Sequence, residues 1–142
     1  MAFGPLRPLS GRPLPSLPCT HSDDGEVVLY RGQMKTSFLN DQQIRPIEYR
    51  KWAHAQRHFA TRPKHRARVD ELVQSIPKKG LRVPITLGVD DRHFDIYVAD
   101  GHHRAIALME LGSDSFPFHW YWIRDWGVRM EREPFPFHLL ER

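Results

Sequence analysis

A helical pattern of hydrophobic residues follows Pro63. Apolar side chains stand at positions i, i+3, i+4 and i+7 of this stretch, namely Val69, Leu72, Val73 and Ile76. Such spacing predicts one apolar stripe along an amphipathic helix. Proline suits a first helical turn because its φ is fixed near the helical value. We expect the helix to begin after Pro63 and to end around Pro77 and Gly80.

A different pattern follows, with runs of apolar and β-branched residues separated by a polar turn. Residues 84–89 and 94–99 read as two strands, and residues 90–93 as the turn between them. Short runs of this composition on either side of a turn are typical of a β-hairpin. A further strand is predicted at 44–47, and an arginine-rich loop or helix at 49–62.

Residues 102–111 have helical composition, and Gly112 stands where a helix commonly stops. Apolar residues cover most of the circumference of this segment, which predicts a helix buried in the middle of the fold. Residues 116–123 alternate aromatic and other side chains and predict another strand. Taken together, these elements predict an α+β fold in which a small mixed sheet carries flanking helices.

The chain divides into three predicted parts. Residues 1–25 hold five of the 12 prolines and little to bury, which favours a disordered arm. Residues 26–123 form the predicted domain, and residues 124–142 are a C-terminal extension that packs on the domain or trails from it. Met34 is an alternative start to Met1, and the sequence does not decide between the two.

Length and composition restrict the class of protein. The 142 residues, 40% of them hydrophobic and 27% charged, correspond to one domain. No run approaches the roughly 20 apolar residues that cross a bilayer, and the proline-rich start lacks the apolar centre of a signal peptide. We therefore expect a soluble, cytoplasmic protein. The single cysteine, Cys19, excludes an internal disulfide and a cysteine-rich zinc site.

The charge is concentrated in one segment. The whole chain carries 21 Lys and Arg against 17 Asp and Glu, but residues 45–70 hold eight of the basic residues and two acidic ones. This density favours a polyanionic partner, either nucleic acid or nucleotide phosphates; the alternative is a solvated helix face. The candidates for nucleic-acid binding are Arg50, Lys51, Arg57, Arg62, Lys64, Arg66 and Arg68.

The strongest chemical signal is the turn from the second hairpin strand into the helix at residues 102–111. Such a turn leaves the first helix amides unpaired and places the positive end of the helix dipole there, which favours an anion. Gly101 permits another backbone or a phosphate to approach closely, and Arg104 can hold phosphate oxygens. His102 and His103 can donate or exchange protons near neutral pH. Asp100 is predicted to cap the helix or to bind a divalent metal.

These elements resemble the ParB/sulfiredoxin superfamily, in its ParB-like N-terminal (ParB-like nuclease) domain. The resemblance covers about 80 of the 142 residues, from about 44 to 123. Its motifs are, in chain order, the leucine-containing helix at 69–76, Gly80-Leu81, Pro84-Ile85, the hairpin, and Asp100-Gly101-His102-His103-Arg104-Ala105 closing at Leu111-Gly112. It implies the superfamily's small mixed sheet with flanking helices and a stand-alone single-domain member.

The resemblance separates the branches of the family. Sulfiredoxins have a reactive cysteine where this chain has His102, so sulfiredoxin activity is not expected. Chromosome-partition ParB proteins bind a cytidine nucleotide at this turn and continue into a helix-turn-helix DNA reader. Only 19 residues follow Ile123, which is too few for such a reader, so a complete partition protein is not expected either.

The form Asp-Gly-His-x-Arg is closer to the family's free serine kinases and to stand-alone ParB-like proteins of phages and plasmids. In the kinase branch a glutamate after the first strand acts as base, and Glu48 stands at about that position; the alternative for Glu48 is a surface carboxylate. The resemblance implies catalytic roles for Glu48, Asp100, His102 and His103. Phosphate binding falls to residues 101–104, and Asp100 binds Mg²⁺ that accompanies CTP, ATP or ADP.

Two other functions stay open at this point. One is a non-enzymatic DNA-binding accessory factor of partition type, which grips backbone phosphates with the basic segment. The other is a metal-dependent nuclease that acts at the histidine-containing turn. We expect nucleotide binding with slow hydrolysis or phosphoryl transfer as the main function, with DNA as a possible further partner, no membrane, and homodimerisation left open.

Overall fold

The computed structural model describes residues 16–20, 28–123 and 134–141, and their architecture is mixed α+β, as predicted. The strands are β1 (Ser16–Thr20), β2 (Val28–Lys35), β3 (Arg45–Pro46), β4 (Ile85–Asp90), β5 (Asp95–Asp100) and β6 (Ser115–Trp122). The α-helices are α1 (Trp52–Thr61), α2 (Pro63–Lys79) and α3 (His102–Leu111). Short 3₁₀ turns lie at Thr36–Phe38 and Phe137–Leu140.

The described strands form one sheet in the order β1-β2-β6-β4-β5-β3. β4 and β5 pair antiparallel, which confirms the predicted hairpin. The chain then crosses back through α3, so that β6 lies parallel to β4 on the opposite side from β5. Because β5 ends at the start of α3, the turn between them lies at the edge of the sheet's central strands.

The core lies between the sheet and the helices. β6 alternates buried and half-buried residues, and Phe116, Phe118 and Trp120 point into the interior. The ring of Phe135, from the C-terminal extension, packs edge-on against Phe118 and Trp120 with centroids 5.2 and 5.5 Å away. The described part of that extension therefore packs on the domain; residues 124–133 and 142 of the extension lie outside the described residues.

The two best-defined helices follow their sequence signals. α2 begins with Pro63 in its first turn, buries Val69, and runs two residues past Pro77 to end at Gly80, whose φ is 74°. α3 buries His102, Ala105, Ile106, Ala107 and Leu108, and Gly112 closes it in the left-handed conformation. Both predictions of helix position are therefore confirmed. No helix in the described ranges is long and apolar enough to cross a membrane.

The structure differs from the predicted disordered arm at β1. This strand lies inside residues 1–25 and pairs antiparallel with β2. Pro18 cannot donate a backbone hydrogen bond, but β1 lies at the edge of the sheet, where proline is tolerated. The high proline content of this stretch conceals the strand, which is why composition alone favoured disorder. The remainder of the arm lies outside the described residues.

Candidate functional site

A cavity of about 250 Å³ opens where β5 turns into α3. Six of the predicted site residues line it, namely Glu48, Asp100, Gly101, His102, His103 and Arg104. Glu48, Asp100 and His102 all line this one cavity. Five further lining residues come from α1, α2 and the segment before α1: Tyr49, Phe59, His65, Arg68 and Leu72.

The N-terminus of α3 faces the cavity without a side-chain cap. Gly101 precedes the helix with φ 112° and ψ 30°. The first helical hydrogen bond runs from the Ala105 N–H to the Gly101 carbonyl at 2.8 Å, so the amides of residues 102–104 have no acceptor within α3. No side chain caps the helix, so the predicted capping role of Asp100 is wrong. The Asp100 side chain is instead 75% exposed.

Gly101 is required for two separate reasons. Its φ lies in the region that favours glycine. In addition, a Cβ at this position would lie 3.1 Å from Cγ1 of Ile85 and 3.2 Å from Cζ of Arg104. The guanidinium of Arg104 therefore packs against Gly101, at the start of α3.

The variant Gly101→Ala is expected to lose about 2–3 kcal/mol of unfolding free energy, because backbone strain and crowding act together. Gly112→Ala is the matched control, since Gly112 is also in the left-handed region, with φ 64° and ψ 33°, but has nothing within 4 Å of the added Cβ. Its loss should be about 1 kcal/mol from strain alone. Urea unfolding of both variants checks the difference, and equal losses would show that crowding at Gly101 contributes nothing.

Arg104 is anchored to the main chain before β4. Its Nη1 donates to the carbonyls of Val83 at 3.0 Å and Pro84 at 2.6 Å. Its Nη2 makes a longer contact of 3.4 Å to Oδ2 of Asp100. The side chain is 14% exposed. Nη1 of Arg104 thus holds the segment before β4 against α3. The remaining N–H groups of the guanidinium are available to bind phosphate.

His102 is a buried, neutral ring that positions the segment carrying Glu48. Its Nε2 accepts a hydrogen bond from the Ile47 N–H at 3.2 Å, so the ring proton sits on Nδ1. Burial lowers the pKa of His102, and the carboxylates of Glu48 and Asp100 offset part of that change. A ring that accepts from Ile47 fixes the backbone next to Glu48.

His103 forms a histidine pair with His65. Nδ1 of His65 and Nε2 of His103 lie 2.8 Å apart, so one ring donates and the other accepts. The His103 ring stacks on Phe59 with centroids 4.4 Å apart and planes at 8°. Burial lowers the pKa of His103, and the charges of His65 and Arg68 lower it further. The lowered pKa keeps the His103 ring mainly neutral at pH 7.

The depressed pKa values predict how stability depends on pH. Unfolded histidines titrate near 6.5, whereas His102 and His103 in the folded protein take up protons at lower pH. The unfolded chain thus binds more protons over this interval, so stability is greatest above pH 6.5 and decreases as the pH falls through the folded values. Urea unfolding at pH 7.5, 6.5 and 5.5 measures this decrease.

The control for this pH effect is the double variant His102→Gln and His103→Gln. It should be less stable at every pH, but its stability should change less between pH 7.5 and 5.5. An unchanged pH dependence in the double variant would contradict the assignment of the effect to these two rings.

Neither His65 nor Phe59 was predicted as part of the site. His65 lies in the first turn of α2 and Phe59 near the end of α1, and they meet His103 because the three helices pack together. No local motif links residues 59 or 65 to residue 103. The available signal was the helical pattern after Pro63, which indicates a helix but not what that helix faces.

The carboxylates suit one mode of Mg²⁺ binding. Among the described residues no group of three or more His, Cys, Asp or Glu side chains is placed to hold a metal ion. Mg²⁺ in nucleotide sites is often bound through one or two carboxylates together with the substrate phosphates. Glu48 and Asp100 line the same cavity and fit this mode, so the metal role of Asp100 stays a prediction.

The seven basic residues predicted to bind nucleic acid fall into two groups. Arg66 pairs with Asp70 at 2.7 Å and with Glu110 at 2.9 Å, and Arg68 contacts Glu71 at 3.4 Å while lining the cavity. The other five are exposed and have no ion pair within the described residues, namely Arg50, Lys51, Arg57, Arg62 and Lys64. Because Arg66 is engaged in two ion pairs, it is not available to bind nucleic acid.

Comparisons of the chain with protein-family models, with curated proteins and with solved structures gave no match. The resemblance to the ParB/sulfiredoxin superfamily therefore continues to rest on the sequence motifs. The α+β class is shown by the structure, and the specific superfamily fold is a proposal.

Proposed function

We propose that the chain is a stand-alone ParB-like protein that binds the phosphates of a nucleotide in this cavity and catalyses hydrolysis or phosphoryl transfer. The observation that carries the proposal is the turn from β5 through Gly101 into α3, where the first three helix amides have no acceptor within α3 and their residues line a cavity. The order of α2, hairpin, glycine turn and α3 supports the ParB/sulfiredoxin-like fold, since the resemblance rests on that order.

Phosphate binding follows from the charges at the helix terminus. The amides of residues 102–104 and the helix dipole favour an anion. Arg68 adds a cation to the lining of the cavity. Its contact with Glu71 is long and exposed, so little free energy is needed to break it. Arg104 stabilises the turn. Its N–H groups that do not donate to the carbonyls of Val83 and Pro84 can donate to the phosphate.

The reaction requires a base close to the transferred phosphoryl group. Glu48 accepts the proton of the attacking hydroxyl or water, whose oxygen then forms a bond to the γ-phosphorus while the bond to the diphosphate leaving group breaks. His102 holds the backbone at Ile47, which keeps Glu48 in place. Asp100 would hold a Mg²⁺ ion that accompanies the nucleotide, and that ion would offset part of the phosphate charge. The rings of His65 and His103 supply N–H donors for the developing negative charge.

Calorimetry with CTP, ATP and ADP in the presence of MgCl₂ tests the binding step. The variant Arg68→Gln should bind at least 10-fold more weakly, because it removes a cation from the cavity lining. Arg82→Gln is the matched control, since Arg82 is exposed, lies outside this cavity, and carries the same charge. Absence of binding at 1 mM nucleotide, or equal affinities for the two variants, would overturn the proposal.

The chemical step has its own test. Glu48→Gln should retain nucleotide affinity within a few fold and lose phosphate release or transfer by a factor of about 10²–10⁴, the usual contribution of a general base. A variant as active as the parent protein would remove Glu48 from the mechanism. Conversion of supercoiled plasmid to the nicked form, abolished by the same substitution, would favour the nuclease alternative instead.

A further inference from the structure

The surface of α1 is unusual in its charge. Residues 49–69 contain seven Lys or Arg and no Asp or Glu. Carboxylates from outside this segment pair with Arg66 and Arg68. Five cations remain exposed and unpaired within the described residues; we refer to them as the α1 basic surface: Arg50, Lys51, Arg57, Arg62 and Lys64.

These cations lie on α1 and on either side of it along the chain. The helix turns Trp52, Ala55 and Phe59 into the core, which places Arg57 on the opposite, exposed face. Other cations of the basic surface lie just before the helix, at the junction with α2, and on the first turn of α2. A ten-residue helix is about 15 Å long. The same length of duplex carries about nine phosphate charges.

The composition of the exposed face argues against a membrane as the partner. Helices that bind bilayer surfaces present large apolar residues beside their cations. The exposed face of α1 carries small and polar residues, namely Ala53, His54, Gln56, Ala60 and Thr61. The large hydrophobic residues that the structure leaves exposed, Ile47, Val83 and Phe94, are not on α1. Cations with polar neighbours are typical of contacts to nucleic-acid phosphates.

We propose that the α1 basic surface binds the phosphate backbone of a nucleic acid. This contact is distinct from the nucleotide cavity, because none of its five cations lines that cavity. It is independent of base sequence, since phosphate contacts position a protein on a nucleic acid without reading bases.

Fluorescence anisotropy of a labelled 20-base-pair DNA duplex tests the proposal between 50 and 200 mM KCl. The logarithm of the affinity should fall linearly with the logarithm of the salt concentration. Four phosphate contacts give a slope of about −3.6 and a loss of about 100-fold over this range. Single-stranded DNA and RNA of equal length, measured in parallel, distinguish the sources of the same phosphate chemistry, and tight salt-dependent binding of any one of them supports the proposal.

The decisive comparison uses two triple variants of equal charge change. Arg57→Ala, Arg62→Ala and Lys64→Ala together should weaken binding at least 30-fold at 50 mM KCl and reduce the slope by about 2–3. Lys78→Ala, Lys79→Ala and Arg82→Ala together remove three exposed cations near the other end of α2 and should change the affinity by less than 3-fold. Thermal unfolding of both variants confirms that each is folded.

Equal weakening by the two triple variants would overturn the proposal, because general positive charge would then explain the binding. Absence of binding by the parent protein at 50 mM KCl would also overturn it, as would binding to phosphatidylserine vesicles without binding to nucleic acid. The first triple variant should bind nucleotide in the calorimeter like the parent protein. The two proposals can therefore fail separately.

Discussion

Arg104→Ala is expected to lower the free energy of unfolding by about 3–5 kcal/mol, whether or not a ligand is present. The substitution leaves the carbonyls of Val83 and Pro84 without their donor, and each lost hydrogen bond from a charged group costs about 1.5–3 kcal/mol. It also removes the group that packs over Gly101. Urea unfolding without nucleotide measures the loss.

Arg104→Lys serves as the control for this first prediction. An ammonium group keeps the charge but cannot reproduce the planar guanidinium that spans both carbonyls and Gly101. We expect the lysine variant to recover less than half of the lost stability. If Arg104→Ala is as stable as the parent protein and loses only nucleotide affinity, the guanidinium is a free phosphate ligand, as the sequence motif alone suggests.

The part of the fold from α2 to β6 follows from sequence because each element there has a local cause. The stripe containing Val69 has a period close to 3.6, proline starts the helix, and glycine ends it. A polar turn separates the hairpin strands, and Gly101, whose φ of 112° favours glycine, separates β5 from α3. A hydrophobic period, together with proline or glycine at the ends, specifies an element without reference to its neighbours in the fold.

The N-terminal half is less predictable because its elements depend on distant partners. Residues 27–30 form a short β-prone run, yet β2 extends to Lys35 because its second half pairs with β6. The sequence left residues 49–62 as loop or helix, since the buried stripe of α1 has only Trp52, Ala55 and Phe59. Tertiary packing decides such segments, and local propensity does not.

The same distinction applies to the candidate site. Residues 100–104 are contiguous, so one motif brings all of them to the turn. The partners of that turn come from elsewhere: His65 faces His103 across the packing of α2 on α3, and the carbonyls that hold Arg104 belong to the chain about 20 residues earlier. A motif identifies the residues at a turn, but it does not show which of their atoms form hydrogen bonds within the protein.

Phe59→Ala is expected to lower the free energy of unfolding by about 3–5 kcal/mol, the usual range for a large aromatic side chain truncated in a core. The Phe59 ring is 1% exposed. It stacks on His103, and on His65 with centroids 4.9 Å apart, while Tyr49 meets it edge-on. Its loss therefore removes the support of the histidine pair as well as core volume.

Phe59→Ala should also change the pKa of His103. Since burial is the largest cause of the lowered pKa of His103, water admitted beside the ring should move that pKa upward, toward 6.5. NMR titration of the His103 ring protons measures the movement. Phe59→Leu keeps an apolar side chain against both rings and should cost about 1.5 kcal/mol with little change in the pKa. A pKa that stays in place in Phe59→Ala would mean that Phe59 supports the core but does not shield His103 from water.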